Sequence, residues 1–252
     1  MSPSTASKSR LDVLLVARGF FDSRARATAA IKAGRVSVNT QVITRAAHMV
    51  GAMAEINISD AEHDYVSRGG IKLAHALDIF GFDPAGICAI DLGASTGGFS
   101  DVLLKRDVRH VYAIDVGHDQ LHGALRAHPK ITSMEGINAR ALTPDQIGEE
   151  LDCLVCDVSF ISLSLVLPPA ISMIRPGGWM VALIKPQFEA GRSAIGKNGV
   201  VSDPEIHVRV CQDFATWFGK TYPDWKAKDI IQSPIEGPQG NVEFLFGATN
   251  RC

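Results

Sequence analysis

Residues 91–101, DLGASTGGFSD, place three glycines between a short apolar run and a helix-like stretch. The run before them, ICAIDL at 87–92, is typical of a buried strand, and the pattern after them predicts a helix over 98–106. Glycines at such a junction let a ligand approach the backbone, and a helix N-terminus favours negative charge. The stretch therefore predicts a cofactor loop at the carboxyl end of a strand.

The spacing of these glycines distinguishes between cofactors. A dinucleotide loop follows G-x-G-x-x-G, whereas a count from Gly93 puts Ser95 where the second glycine is required. A pyrophosphate would find this turn less open. S-Adenosylmethionine carries a carboxylate and no phosphate, so we predict that it, rather than NAD, is the cofactor.

Two polar residues farther along the chain extend the predicted cofactor site. Asp115 ends the second strand, where a carboxylate accepts hydrogen bonds from both hydroxyls of a ribose. Asn138 follows the third strand, and we expect its amide to meet the adenine edge. The predicted cofactor-binding residues are Asp91, Gly93, Ala94, Ser95, Gly97, Gly98, Phe99, Asp115 and Asn138.

Strand-like and helix-like segments alternate from residue 87 onward. Strands are predicted at ICAIDL, VYAIDV, ITSMEG, LDCLVCDV and WMVALIK, with helices near 98–106, 119–127, 143–149 and 162–174. Such alternation predicts an α/β fold with a mostly parallel sheet. WKAKDIIQ and NVEFLFGAT have no helix between them and predict an antiparallel hairpin at one edge. This is the pattern of class I, Rossmann-like methyltransferases.

The stretch GGWMVALIKPQFE, 177–189, places a lysine at the end of the most apolar strand. Six apolar residues predict a strand buried on both faces, and Lys185 follows them before Pro186. Lys185 either extends to water or takes part in chemistry, because ligands of open α/β sheets bind at the carboxyl ends of the strands.

Composition and cysteine usage indicate an ordinary soluble protein, with 46% hydrophobic and 21% charged residues. No apolar run approaches the roughly 18 residues of a membrane span, and MSPSTASKSR lacks the apolar core of a secretory signal. Five scattered cysteines favour a reducing compartment, so we expect a cytoplasmic protein. Cys153 and Cys156 are expected on opposite faces of one strand, and no ligand cluster predicts a metal.

The charge is distributed unevenly. Residues 1–60 carry eight basic and four acidic side chains, a net +4, whereas the rest carries 17 basic and 23 acidic, a net −6. RLDVLLVAR and RARATAAIKAG predict two short helices, and short strands follow them. A basic segment in front of an acidic one favours an anionic partner, although a small helical cap with a solvated face is the alternative. We predict domains at 1–59 and 68–252 with a linker at 60–67.

Both parts of the chain resemble known families. RLDVLL, the Ser23-Arg24 helix start and GRVSVN resemble the small RNA-binding domain first described in the fourth protein of the small ribosomal subunit, except that Thr40 replaces its usual glycine. DLGASTGGFSD, CDVSF, LIKPQFE and GNVEF resemble the FtsJ-type RNA 2′-O-methyltransferases. Together, over residues 9–247, they resemble the TlyA-type proteins, also called hemolysin A, which methylate ribosomal RNA at ribose 2′-hydroxyls.

The resemblance implies specific residues and partners. It implies a catalytic tetrad at Lys72, Asp157, Lys185 and Glu243, S-adenosylmethionine as the methyl donor, and ribosomal RNA or ribosomal subunits as the partner. It implies phosphate contacts from the basic residues of the two N-terminal helices. The predicted RNA-binding residues of the basic segment are Arg10, Arg18, Arg24, Arg26, Lys32 and Arg35. Arg192 and Lys197 are further candidates, in the glycine-rich stretch 189–204, which we interpret as a substrate loop. A plain surface loop would explain that stretch nearly as well.

The expected chemistry explains these residue types. Methyl transfer to a hydroxyl requires in-line alignment and removal of the hydroxyl proton. A neutral Lys185, its charge disfavoured by burial and by Lys72, would accept that proton, while Asp157 and Glu243 orient the amines. Alternatively, Lys185 stays charged and only positions the hydroxyl.

Two other functions compete with this interpretation. One is an RNA-binding assembly factor with an inactive methyltransferase fold, which the complete tetrad argues against. The other is a membrane-active cytolysin, which the family name implies and the lack of amphipathic or spanning segments disfavours.

Overall fold

The structure, a computed structural model, describes residues 8–21, 23–32, 34–58, 65–196, 199–237 and 240–251. The chain divides into two compact units, residues 1–64 and 65–252, which we call the head and the body. Most of the predicted linker, 60–67, falls outside the described residues. The predicted domain limits therefore stay predictions.

The head contains two short helices and two small antiparallel sheets. Its elements are β1 (Lys8–Arg10), α1 (Leu11–Ala17), α2 (Arg24–Lys32), β2 (Val36–Val38), β3 (Gln41–Val42), β4 (Met49–Gly51) and β5 (Ile56–Ile58). β1 pairs with β4, and β2 lies between β3 and β5. Leu11, Leu15 and Ile31 are fully buried where the helices meet the strands. The two predicted helices and the short strands after them are confirmed.

The turn between β2 and β3 contains the residue that departs from the family pattern. Asn39 and Thr40 have φ of 48° and 69°, and two-residue hairpin turns of type I′ require positive φ at both central positions. A residue with a Cβ adopts this conformation at a cost of about 1–2 kcal/mol. Thr40 therefore strains a turn that glycine would fit without cost.

The body alternates helices and strands. Its elements are α3 (Gly69–Phe80), β6 (Cys88–Leu92), α4 (Gly98–Lys105), β7 (His110–Asp115), α5 (Gly123–Arg126), β8 (Ile131–Glu135), α6 (Pro144–Ile147), β9 (Leu151–Cys156), α7 (Leu163–Ile171), β10 (Ile174–Ile184), α8 (Pro186–Glu189), α9 (Pro204–Thr221), β11 (Trp225–Ala227), β12 (Ile231–Gln232) and β13 (Phe244–Asn250). Within the described ranges, no helix combines the length and apolarity needed to cross a membrane.

Eight strands of the body form one sheet. Seven follow the order β11-β13-β10-β9-β6-β7-β8, and β12 also pairs with β13. The strands from β10 to β8 are parallel, whereas β13 is antiparallel to β10, β11 and β12. The predicted fold class is confirmed, although WKAKDIIQ divides into two short strands. The predicted helix over 119–127 shrinks to α5, because Asp119 has a φ of 55°, which a right-handed helix does not allow. The N–H groups of residues 119–121 instead bind the carboxylate of Glu135.

The sheet is buried on both faces. Along β10, Trp179, Val181 and Leu183 pack into the core beneath α3 and α4, and the residues between them pack into the core beneath α7 and α9. Cys153 and Cys156 of β9 are buried in these two different cores, as their spacing predicted. The carboxyl ends of five parallel strands therefore meet at one sheet edge, where Asp115 ends β7, Asp157 follows β9 and Lys185 follows β10.

Candidate active site

Two glycines allow the loop between β6 and α4 to pack closely against its surroundings. Gly93 and Gly97 have φ of 80° and 96°, a region that favours glycine. A Cβ on Gly93 would lie 2.6 Å from the carbonyl oxygen of Asp157, and one on Gly97 would lie 2.2 Å from Leu125 Cδ1. The loop therefore packs against Asp157, at the end of β9, and against Leu125 only because Gly93 and Gly97 have no side chains.

Asp115 lies at the carboxyl end of β7 and is held by the glycine loop. Its Oδ2 accepts a hydrogen bond from Ser95 N at 2.8 Å, and its Oδ1 accepts one from Gly117 N at 2.7 Å. Each carboxylate oxygen has a second lone pair available. The carboxylate is therefore fixed in orientation and retains capacity for hydroxyl donors.

Glu135, which the sequence analysis did not select, fixes the loop that follows Asp115. Its carboxylate accepts hydrogen bonds from the backbone N–H groups of Asp119, Gln120 and Leu121, at 3.0, 3.0 and 3.2 Å, and pairs with Arg126 at 3.0 Å. Desolvation opposes the charge, but these donors hold the pKa of Glu135 below its usual value. The loop presents Gln120 to Ser95, whose Oγ lies 3.3 Å from Gln120 Oε1.

Asp91 is a fully buried carboxyl at the start of the glycine loop. Its Oδ2 accepts from Ser100 Oγ at 2.7 Å, whereas its Oδ1 has no hydrogen-bond partner among the described residues. Desolvation raises its pKa to about 7, the Ser100 hydroxyl opposes the shift, and repulsion from Asp157 and Asp115 adds to it. Three carboxyl groups therefore lie close enough around the loop to influence one another.

The other predicted cofactor residues differ in what they offer. The side chains of Ala94 and Phe99 are buried in the apolar core of the body, so these two residues offer a ligand only their backbone groups. Gly98 begins α4, where a Cβ would lie 2.3 Å from Ser67 Oγ. Asn138 is exposed after β8, and its Oδ1 accepts from Arg140 N at 3.1 Å, which leaves its NH₂ group for a ligand.

The four predicted tetrad residues form two lysine–carboxylate pairs. Lys185 Nζ lies 2.6 Å from Asp157 Oδ1, and Lys72 Nζ of α3 donates to Glu243 Oε2. Both lysines and Glu243 are buried. Glu243 lies just before β13 rather than within it, and its Oε1 has no hydrogen-bond partner among the described residues.

The sheet register places these pairs next to one another. Ile184 of β10 is opposite Phe244 of β13, so the flanking residues Lys185 and Glu243 occupy facing positions at the strand ends. The first turn of α3 lies beside Asp157, because a Cβ on Gly69 would be 3.8 Å from Asp157 Oδ2. The structure thus brings the predicted tetrad together at the edge that carries the glycine loop.

Several predicted RNA-binding residues of the head have structural contacts. Arg10 and Arg24 both bind the buried Asp12, at 2.9 and 2.8 Å, and the hydrogen bond from Arg10 is the largest cause that lowers the Asp12 pKa to about 2. Arg18 donates to the carbonyl oxygens of Ala52 and Ala54. Arg26 and Arg35 also make contacts.

The remaining basic residues differ in their position. Lys32 is exposed beside a concavity of about 450 Å³ that Arg24 and Asp12 also line. Arg192 is exposed in a short 3-10 turn, Arg192–Ala194, of the body. Lys197 lies outside the described residues.

Two known protein families match the two parts of the chain. The FtsJ-like methyltransferase family matches residues 65–250, which include the glycine loop and both lysine–carboxylate pairs. The chain belongs to the FtsJ-like methyltransferase family. The S4 domain family matches residues 9–56 of this methyltransferase.

Relatives of this methyltransferase match nearly its full length. The 16S/23S rRNA (cytidine-2′-O)-methyltransferase TlyA of Mycobacterium tuberculosis is 40% identical, over 96% of this chain and 90% of the relative. Hemolysin A of Brachyspira hyodysenteriae is 36% identical, over 94% of this chain and 98% of the relative. A solved structure described as "putative hemolysin" from Streptococcus thermophilus is 38% identical with a TM-score of 0.75, and covers 98% of this chain and 90% of its own.

Proposed function

We propose that this protein is a ribosomal RNA 2′-O-methyltransferase that transfers a methyl group from S-adenosylmethionine to a ribose 2′-hydroxyl. The observation that carries the proposal is the two lysine–carboxylate pairs beside the glycine loop, in which both lysines are buried. The name of the Mycobacterium tuberculosis relative states this reaction on ribosomal RNA, and its similarity extends over the whole site.

The charge around the glycine loop fits S-adenosylmethionine better than a dinucleotide. Asp91, Asp115 and Asp157 form an acidic cluster, which attracts a cation and repels a pyrophosphate. Asp115 would hold the ribose hydroxyls of the cofactor, the backbone of 93–98 would border its amino-acid part, and Asn138 would meet its adenine. The cofactor supplies a methyl group on a positively charged sulfur.

Lys185 is the residue that we assign to the target hydroxyl. It lies buried at the strand end with one carboxylate against it, so its amine is held in place before the substrate arrives. As a neutral amine it accepts the hydroxyl proton, and as an ammonium it aligns the oxygen for in-line attack. Lys72, paired with Glu243, supplies the second ammonium of the site.

The head binds RNA in this proposal. Arg24 and Lys32 border its concavity and offer charge to phosphates, while Arg10 and Arg18 organise the surface through Asp12 and the carbonyls of Ala52 and Ala54. Arg26 and Arg35 of the head and Arg192 and Lys197 of the body are further candidates. With ribosomal RNA as its substrate, we place the protein in the cytoplasm, the location that its five scattered cysteines also favour.

The proposal is tested by mapping 2′-O-methyl groups on ribosomal RNA from cells with and without the protein. We expect at least one position to lose its methyl group when the protein is absent and to regain it when the wild-type protein is restored. The Lys185→Ala variant should not restore it. If every position is methylated in both cell types, the proposed activity is wrong, and an assembly factor with an inactive fold becomes the better explanation.

A further inference from the structure

Ser159 is the hydrogen-bond acceptor of the Lys185 amine. Lys185 Nζ donates to Ser159 Oγ at 3.0 Å. The contact with Asp157 Oδ1, at 2.6 Å, has the distance of an ion pair, but that oxygen has no aligned hydrogen-bond donor in the part of the chain that the structure describes. Asp157 therefore interacts with the Lys185 amine through its charge, whereas Ser159 fixes the direction of one N–H group of that amine.

We propose that Ser159 is a positioning residue that orients Lys185 toward the ribose hydroxyl, an inference that rests on the proposed function. An ammonium has three N–H groups, and a neutral amine has two N–H groups and one lone pair. With one N–H directed at Ser159 and the carboxylate of Asp157 against the amine, one direction remains for the substrate oxygen. The role is the same whether Lys185 accepts the proton or only aligns the hydroxyl.

The loop that carries Ser159 is fixed at both ends by hydrogen bonds that do not involve the Lys185 amine. At its start, Asp157 N donates to Leu92 O at 2.9 Å. At its end, Ser162 Oγ and Leu163 N donate to the two carboxylate oxygens of Glu189, at 2.7 and 2.8 Å. The hydroxyl of Ser159 is thus in place before substrate binds, as an effective positioning group requires.

The next residue shows that the loop is held in a conformation its sequence disfavours. Phe160 has φ of 66°, which costs a residue with a Cβ about 1–2 kcal/mol. Its side chain is 90% exposed, and its ring is tilted by 48° against the ring of Phe188, with ring centroids 5.0 Å apart. Such strain persists where surrounding contacts fix the backbone, and it concentrates at functional sites.

The test compares Ser159→Ala, Ser159→Thr and the control Ser172→Ala in the full chain, with methyl transfer to ribosomal RNA as the assay. Ser172 follows α7, is exposed, and donates to the carbonyl oxygen of Pro169 rather than to the loop that carries Ser159. Ser159→Ala should lower kcat by about 10- to 100-fold, the range for losing one positioning contact. The KM for RNA and the Kd for S-adenosylmethionine should stay within about twofold. Ser159→Thr, which keeps the hydroxyl, should recover most of the rate, and Ser172→Ala should match wild type.

The outcomes separate this inference from the proposed function. A wild-type protein that transfers no methyl group refutes the function itself. An active wild type with a Ser159→Ala variant of equal kcat refutes only the role of Ser159. If Ser159→Thr does not restore kcat, the role of Ser159 is structural and the inference is overturned. The same holds if the fall in kcat is accompanied by weaker cofactor binding and a lower melting temperature.

Discussion

The buried carboxyl of Asp91 should make the body less stable as the pH rises toward neutrality. Desolvation raises its pKa from an ordinary 3.8 to about 7. A carboxyl with a raised pKa binds its proton more tightly in the folded state, so its contribution to stability is complete below pH 3.8 and is lost as the pH rises to about 7. A shift of about three units corresponds to about 4 kcal/mol.

The variant Asp91→Asn isolates this effect. The amide cannot titrate, and any cost of burying it is the same at every pH. The free energy of unfolding of the variant relative to wild type should therefore increase by about 4 kcal/mol between pH 4 and pH 8.

Urea unfolding followed by tryptophan fluorescence measures this difference for the body alone. All three tryptophans, Trp179, Trp217 and Trp225, belong to residues 65–252. Asp229→Asn, which removes an exposed carboxylate, is the matched control and should show no comparable trend. A relative stability of Asp91→Asn that stays constant within about 0.5 kcal/mol from pH 4 to pH 8 would refute the reasoning.

Three further predictions concern ligands. Asp115→Ala should weaken S-adenosylmethionine by about 1.5–3 kcal/mol, the usual value of a charged hydrogen-bond partner, without changing RNA affinity; equal calorimetric affinities would contradict it. Glu135→Gln removes the charge that binds three backbone N–H groups, so cofactor affinity should fall about threefold to tenfold while kcat at saturation is retained; unchanged affinity in equilibrium binding would show that the loop does not matter. Lys32→Ala should weaken RNA binding and lower the log–log salt slope by somewhat under one unit; a salt titration that overlays wild type would exclude Lys32 from the RNA surface.

The sequence was sufficient to predict β7, β9 and β10 because each is a short, largely apolar run that ends at, or is followed by, a charged residue. Once β6, β9 and β10 were recognised as parallel, their ends had to share one edge, which made Lys185 a candidate for chemistry. The role of Asp157 was implied by the family resemblance. Glu243 required the family resemblance, because the local pattern predicts an antiparallel hairpin but not that its second strand, β13, pairs with β10.

The sequence could not reveal contacts made by backbone groups or by unremarkable side chains. Glu135 binds three N–H groups that no motif displays. Ser159 can be recognised as a positioning residue only from its 3.0 Å contact with Lys185, which is 26 positions away in the chain. In the head, counting the basic residues gave the net charge but did not indicate that Arg10 and Arg24 both pair with the buried Asp12.

The central claim is that Lys185 and its neighbours direct a methyl group to a ribose 2′-hydroxyl. The most direct measurement is transfer from methyl-labelled S-adenosylmethionine to a ribosomal RNA fragment that contains the mapped target, compared with the same fragment carrying a 2′-deoxy sugar at that nucleotide. We predict labelling of the ribose oxygen in the first fragment and none in the second, with Lys185→Ala inactive on both although it still binds cofactor and RNA. Equal labelling of the two fragments, or full turnover by Lys185→Ala with excess RNA, would contradict the account.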